Sequence, residues 1–128
     1  MNFDEYNRAQ AKENENIIAI DFDGVIHKSS KGFHDGTIYD EPVDGSLESI
    51  KGLKRDGYKL IIYTCKANPS RPKIDEKDGK ELIWEWLEKH NVSHLISDVV
   101  WGKPWAKIYI DDKGYRFENW NSTIDFIK

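Results

Sequence analysis

Ile17-Ile18-Ala19-Ile20 runs directly into Asp21-Phe22-Asp23-Gly24-Val25, and no other stretch limits the fold so sharply. Four consecutive apolar residues read as a strand covered on both faces, the kind found in the middle of a parallel sheet. Alternate strand residues point the same way, so Asp21 and Asp23 share one side at the strand's carboxyl end. Open α/β sheets bind their ligands at that edge. Gly24 lets the chain turn away at once. Two carboxylates placed together repel each other and resist desolvation, so a core has no use for them. A metal ion or a proton-transfer task does.

The rest of the chain alternates strands with helices. Residues 24–42 form a long connection, a flap in which Thr37-Ile38-Tyr39 is expected to pair with Val25-Ile26-His27. A helix is expected over 46–56, capped by Asp44 or Ser46 and ended by Gly57. Tyr58 to Tyr63 reads as a second buried strand, followed by Thr64. Pro69 and Pro72 break 67–77 into a loop. Asp78 to His90 carries Leu82, Ile83, Trp86 and Leu87 at helical spacing. A third strand falls at Leu95-Ile96 or Val99-Val100, and a fourth at Lys107 to Ile110, running into Asp111-Asp112. Tyr115-Arg116-Phe117 forms a short strand and Trp120 to Ile127 a closing helix. This alternation predicts a mainly parallel sheet with right-handed crossovers. Residues 1–16 are a polar arm and 17–128 one domain, since 128 residues leave room for one core.

A formal charge of −4 gives no overall pull toward nucleic acid or anionic lipid. No apolar run is long enough to span a bilayer, and Met1 to Asn16 lacks a signal-peptide core. Cys65 stands alone, which excludes an internal disulfide and fits a reducing cytoplasm.

Three strands therefore end in polar groups at one sheet edge: Asp21 and Asp23, Thr64, then Asp111 and Asp112. Lys103 lies on the loop before the fourth strand. Mg²⁺ takes hard oxygen ligands, commonly a few carboxylates with water and phosphate. Thr64 and Lys103 would hold a phosphate from the other side. Each piece has a plain alternative. A lone Asp caps turns, Thr64 alone is a strand-end residue, and Lys107 competes with Lys103. Lys103 is preferred because it sits on a Gly-Pro turn before the strand.

The set resembles the haloacid dehalogenase (HAD) superfamily of phosphatases, in order as well as in kind. The family pattern D-x-D-G-[TV] is Asp21 to Val25. Its Thr or Ser after the second strand is Thr64, its later Lys is Lys103 in Gly102-Lys103-Pro104, and its final acidic pair is Asp111-Asp112 after Ile108-Tyr109-Ile110. The resemblance implies a single-domain three-layer α/β sandwich on a Rossmann-like sheet, with a small flap and no large cap. It implies a Mg²⁺-dependent phosphomonoester hydrolase. Asp21 is then the nucleophile that becomes an aspartyl-phosphate. Asp23 is the acid and base. Thr64 and Lys103 hold the phosphoryl group. Mg²⁺ is held by the Asp21 carboxylate, the Asp23 carbonyl and one or both of Asp111 and Asp112. The partner is a phosphorylated substrate: a small molecule, a nucleotide or a nucleic-acid end. The residues do not select among these, and they leave the oligomeric state open.

Two rival readings stay in view. Cys65 to Arg71 fits C-x5-R, the pattern of cysteine-dependent phosphatases. Pro69 removes an N–H from such a cradle, and no glycine lies inside it. The plain reading of Cys65 is a semi-buried small hydrophobe. Alternatively the chain is a non-enzymatic phospho-acceptor or phosphate-binding module. Receivers of that kind carry an adjacent acidic pair on the first strand, whereas here the spaced pair comes first. Lys66, Arg71 and Lys73 read as a basic loop near the crevice, solvated by default or in contact with a second phosphate or a polyanion, and His27 and His34 as flap residues, exposed or touching substrate. Trp101 and Trp105 flank Lys103 at the pocket mouth.

Overall fold

The computed structural model describes residues 16–111 and 115–127. Ile17–Asp21 forms β1, and Ile18, Ala19 and Ile20 are fully buried. Burial of consecutive residues means that both faces of the strand are covered, as the apolar run requires. Ser46–Arg55 is α1, Lys59–Tyr63 β2, Gly79–Lys89 α2, Asp98–Val100 β3, Ile108–Asp111 β4, Tyr115–Arg116 β5 and Trp120–Ile127 α3. Short 3₁₀ turns occupy Cys65–Ala67 and Ser93–Leu95. The strands pair in the order β3-β2-β1-β4-β5, and every pairing is parallel. The result is a Rossmann-like α/β sheet with β1 at its centre.

The register positions the site. Asp21 lies opposite Tyr63 of β2, and Ile20 lies opposite Ile110 of β4. Asp21 and Asp111 are therefore level on neighbouring strands. The chain builds outward from β1 through β2 to β3, then returns to the other side of β1 with β4. That reversal between β1 and β4 opens a crevice at the strands' carboxyl ends, where sheets of this kind bind ligands.

Helix α2 follows the predicted pattern. The Asp78 carboxylate accepts the Glu81 N–H at 2.8 Å, and Ile83, Trp86 and Leu87 are buried. Each fully buried side chain of that size contributes about 1.5–3 kcal/mol. Helix α1 has the expected extent but not the expected cap. Neither Asp44 nor Ser46 caps it. Gly45 takes the N-cap with φ 82° and no side-chain bond. Ser46 is buried, and its hydroxyl instead donates to the Ile26 carbonyl at 3.4 Å. The third strand is the Val99-Val100 alternative, while Leu95 lies in a 3₁₀ turn.

The flap pairs four residues later than predicted. Val43 N–H donates to Ile26 at 2.8 Å, and Lys28 N–H to Glu41 at 3.0 Å, with a bridge between His27 and Pro42. Thr37-Ile38-Tyr39 forms no strand. Turns closed by Gly32 N–H on Ser29 and Gly36 N–H on Phe33 absorb the intervening length. The Tyr39 hydroxyl then donates to the Gly32 carbonyl at 2.8 Å and accepts from Lys31 N–H at 2.7 Å. The proposed arm at 1–16 lies outside the described residues except for Asn16, whose carbonyl accepts from Lys59 N–H.

Candidate active site at the carboxyl edge of the sheet

The chain leaves β1 through a tight turn. Val25, Ile26 and His27 all direct their N–H groups at the Phe22 carbonyl, at 3.3, 2.9 and 3.0 Å. Gly24 sits at φ 82° with open space around it, so glycine is required there by the backbone angle and not by crowding. Phe22 is fully buried while its neighbours carry the carboxylates, which realises the alternation read from the sequence. The Asp21 Oδ1 accepts the Phe22 N–H at 2.8 Å.

Across the crevice, Asp111 is 7% exposed. Its Oδ2 accepts from the Tyr63 hydroxyl and from Lys103 Nζ, the latter at 3.1 Å. Lys103 also lies over the Tyr109 ring, 4.4 Å from its centroid. Tyr109 is itself held, its hydroxyl donating to the Pro104 carbonyl at 2.5 Å. The loop bearing Lys103 is thereby tied to the strand that ends in Asp111.

Asp23 is gripped from two sides. His27 Nδ1 and Lys66 Nζ each lie 2.9 Å from its Oδ1. Partial burial pushes this carboxyl up, but hydrogen bonds from His27 and Lys66 and the charge of Lys66 outweigh it, so its pKa falls below the usual carboxylate range. A carboxyl with a folded pKa below its unfolded value, about 3.9 for Asp, contributes stability above that value. The contribution disappears as pH falls through the folded pKa. Urea midpoints of the wild type and Asp23→Asn, measured from pH 6 to pH 2, should therefore converge as the pH drops. A gap that is unchanged over this range would show that the contacts do not favour the ionised form.

Thr64 is 4% exposed, and its Oγ1 accepts the Lys66 N–H at 3.2 Å, capping the 3₁₀ turn over Cys65–Ala67. The hydroxyl hydrogen stays available to a ligand oxygen. The structure thus brings Asp21 level with Asp111, Lys103 onto Asp111, and Thr64 beside the Lys66–Asp23 pair. Asp112 lies outside the described residues.

Two of the basic-loop assignments are corrected. Lys66 is not solvated: it is 2% exposed and bonded to Asp23. Arg71 stacks on Phe33 of the flap, 4.1 Å from the ring centroid. Cys65 is exposed, not semi-buried. His27 is fully buried, not a surface flap residue. Trp101 and Trp105 are exposed. The sequence reading missed Tyr63, and it missed the bonds of His27 and Lys66 to Asp23. The signals were present: His27 follows Asp23 by four residues, and Lys66 follows Thr64 by two.

Among the described residues no group of three His, Cys, Asp or Glu gathers closely enough to hold a metal ion. The donor chemistry nevertheless suits Mg²⁺. Asp21 and Asp111 supply hard oxygens on adjacent strands, and this ion is commonly held by one or two carboxylates together with substrate phosphate. A groove of about 250 Å³ between α1 and α3, lined by Leu53, Ile124 and Ile127, contains none of these groups. No helix among the described residues is long and apolar enough to cross a membrane.

Fold and site together define a Rossmann-like α/β protein with an acidic centre at its switch point. The chain is similar to the D-glycero-beta-D-manno-heptose-1,7-bisphosphate 7-phosphatase of Salmonella typhi, with 30% identity over 71 residues. The match covers 56% of this chain and 37% of that phosphatase, so it spans little more than a third of the relative's length. No family model and no solved structure matches the chain.

Proposed function

We propose that the chain is a phosphomonoester hydrolase of the HAD type, a three-layer domain with a small flap and no large cap, acting on a phosphorylated substrate in the cytoplasm. The observation that carries this reading is the level placement of Asp21 and Asp111 across the β1–β4 switch point, with Asp23 one turn beyond. The similarity to a curated phosphatase supports it.

The chemistry follows from the side chains. Asp21 attacks phosphorus, forming a carboxylate O–P bond as the bond to the leaving oxygen breaks. Asp23, protonated from solvent once the ester is bound, gives that oxygen its proton and then takes one from the water that attacks the aspartyl-phosphate; phosphate departs, Asp21 is freed as a carboxylate, and Asp23 returns its proton to solvent. Asp23 rests ionised in the empty site. An arriving phosphate dianion raises its pKa by like-charge repulsion and favours the protonated form needed first. Thr64 donates to a phosphoryl oxygen, and Lys103 offsets charge from beside Asp111. Mg²⁺, held by Asp21, the Asp23 carbonyl and one or both of Asp111 and Asp112, would reduce the repulsion between an anionic nucleophile and an anionic ester.

The cysteine alternative loses ground because Arg71 is engaged with Phe33 and Pro69 lacks an N–H. Phosphate release should be abolished by chelator, restored by Mg²⁺, and nearly unchanged in Cys65→Ser. A screen over sugar phosphates, nucleotides and 3′- or 5′-phosphorylated oligonucleotides supplies the substrate. An inactive serine variant together with indifference to chelator would transfer the nucleophile's role to Cys65.

A further inference from the structure

We propose that His27 is a positioning residue that aims the Asp23 carboxylate at the leaving group and couples that aim to the base of the flap. The assignment rests on the phosphatase reading, in which Asp23 transfers the leaving-group proton.

His27 is fully buried. Its ring stacks on Phe22 at 5.3 Å between centroids and 4° between planes, and meets the edges of Trp86 at 5.7 Å and Tyr39 at 5.2 Å. An imidazole in such surroundings is costly unless both nitrogens are bonded. Both are. The Asp40 backbone N–H lies 3.0 Å from Nε2. A backbone N–H can only donate, so Nε2 accepts and the ring proton is assigned to Nδ1. Nδ1–H therefore donates to Asp23 Oδ1 at 2.9 Å.

Lys66 Nζ donates to the same oxygen. Two donors from different elements fix the plane of the carboxylate. Oδ2, which has no hydrogen-bond partner among the described residues, is left to carry the proton. A freely rotating carboxyl would present either oxygen in many orientations, and proton transfer depends on a bond-length approach to the leaving atom.

The other end of the ring reaches the flap. Asp40 is held on both sides, its N–H by His27 and its carbonyl by Trp86 Nε1 at 2.9 Å. The Asp40 carboxylate in turn accepts the Ser30 N–H at 2.9 Å and its hydroxyl at 2.5 Å. A displacement of the flap at Ser30 or Asp40 thus reaches Asp23 through one rigid ring. A histidine serving only as core filler would need neither this tautomer nor this pair of partners.

The test compares two esters in Mg²⁺. p-Nitrophenyl phosphate releases a stable phenolate and needs little proton donation. Glycerol phosphate releases an alkoxide and needs it fully. His27→Gln retains an acceptor for Asp40 but loses the donor at the Nδ1 position. It should lower kcat on glycerol phosphate by about 10²-fold, the scale of a lost acid-base contribution, and lower kcat on p-nitrophenyl phosphate much less. His27→Asn, whose amide nitrogen falls near Nδ1, should recover much of the glycerol phosphate rate. Asp23→Asn should show the same ester selectivity more strongly.

Equal losses on both esters in a folded His27→Gln protein, or no loss on either, would overturn the assignment. Should His27→Gln not fold, His27→Asn decides alone, since a folded variant with a collapsed ratio of the two rates contradicts a role for the Nδ1 donor. A wild-type protein that hydrolyses neither ester, nor any phosphomonoester of the wider screen, removes the phosphatase reading itself and the His27 role with it. That outcome is distinct from an active wild type with an unselective variant.

Discussion

Under the proposed mechanism, Asp21→Asn should abolish phosphate release and leave the protein folded. The amide matches the carboxylate in shape, and its oxygen can still accept the Phe22 N–H now bound at 2.8 Å. Thermal unfolding should therefore stay near the wild-type midpoint. Phosphate release should respond very differently, because an amide oxygen cannot form the proposed acyl-phosphate. Loss of a nucleophile of this kind costs roughly 10⁴-fold or more in kcat. Phosphate release and a melting curve on the same preparation check both halves. Substantial turnover by the folded variant would end the aspartyl-phosphate mechanism.

Gly79→Ala should strongly destabilise the protein and silence the site as well. Gly79 is the first residue of α2. In an exposed helix interior, replacing glycine with alanine normally adds about 1 kcal/mol of stability. Here a Cβ would overlap the Lys66 carbonyl oxygen and stand 2.7 Å from its carbonyl carbon. These are backbone atoms, so no rotamer change relieves the contact. Either α2 or the turn over Cys65–Ala67 must shift, at a cost of about 3 kcal/mol or more. Lys66 would then leave Asp23, so the variant's activity should fall further than its folded fraction explains. Gly52 in α1 supplies the contrast, since nothing lies within 4 Å of its Cβ position. Urea titrations of the two variants should move in opposite directions. A Gly79→Ala midpoint at the wild-type value would mean that the close approach of α2 to Lys66 does not exist in solution.

The close approach also explains why the role of Lys66 escaped a linear reading. In the sequence it stands in a polar, proline-broken loop beside Arg71 and Lys73, and lysines in such company are normally solvated. Its burial comes from α2 lying across its carbonyl and from a carboxylate 43 positions earlier in the chain. Tyr63 shows the same limit. As the last residue of β2 it looks like strand packing, yet its hydroxyl crosses β1 to reach Asp111, 48 positions away.

Local chemistry was legible because it acts over two to four residues. The unbroken apolar run of β1 announced a doubly covered strand, and Phe22 is buried between the partly exposed Asp21 and Asp23. Gly24 took the positive φ that its turn needs, whereas the capping of α2 by Asp78 was not read from the sequence. The placement of acids at the ends of β1 and β4 was readable from the sequence as a polar cluster at the sheet edge.

Tertiary structure alone decided which of these groups meet. The order β3-β2-β1-β4-β5 puts Asp111 beside Asp21, and another strand order with the same segments would have separated them. The flap register at residues 41–43 brings the Asp40 N–H to His27, and through it gives Asp23 a bonded partner inside the core. A sequence encodes periodicity within each element, because backbone geometry repeats every two or 3.6 residues. Partner choice depends on how the elements stack, and stacking is set by the summed burial of side chains far apart in the chain.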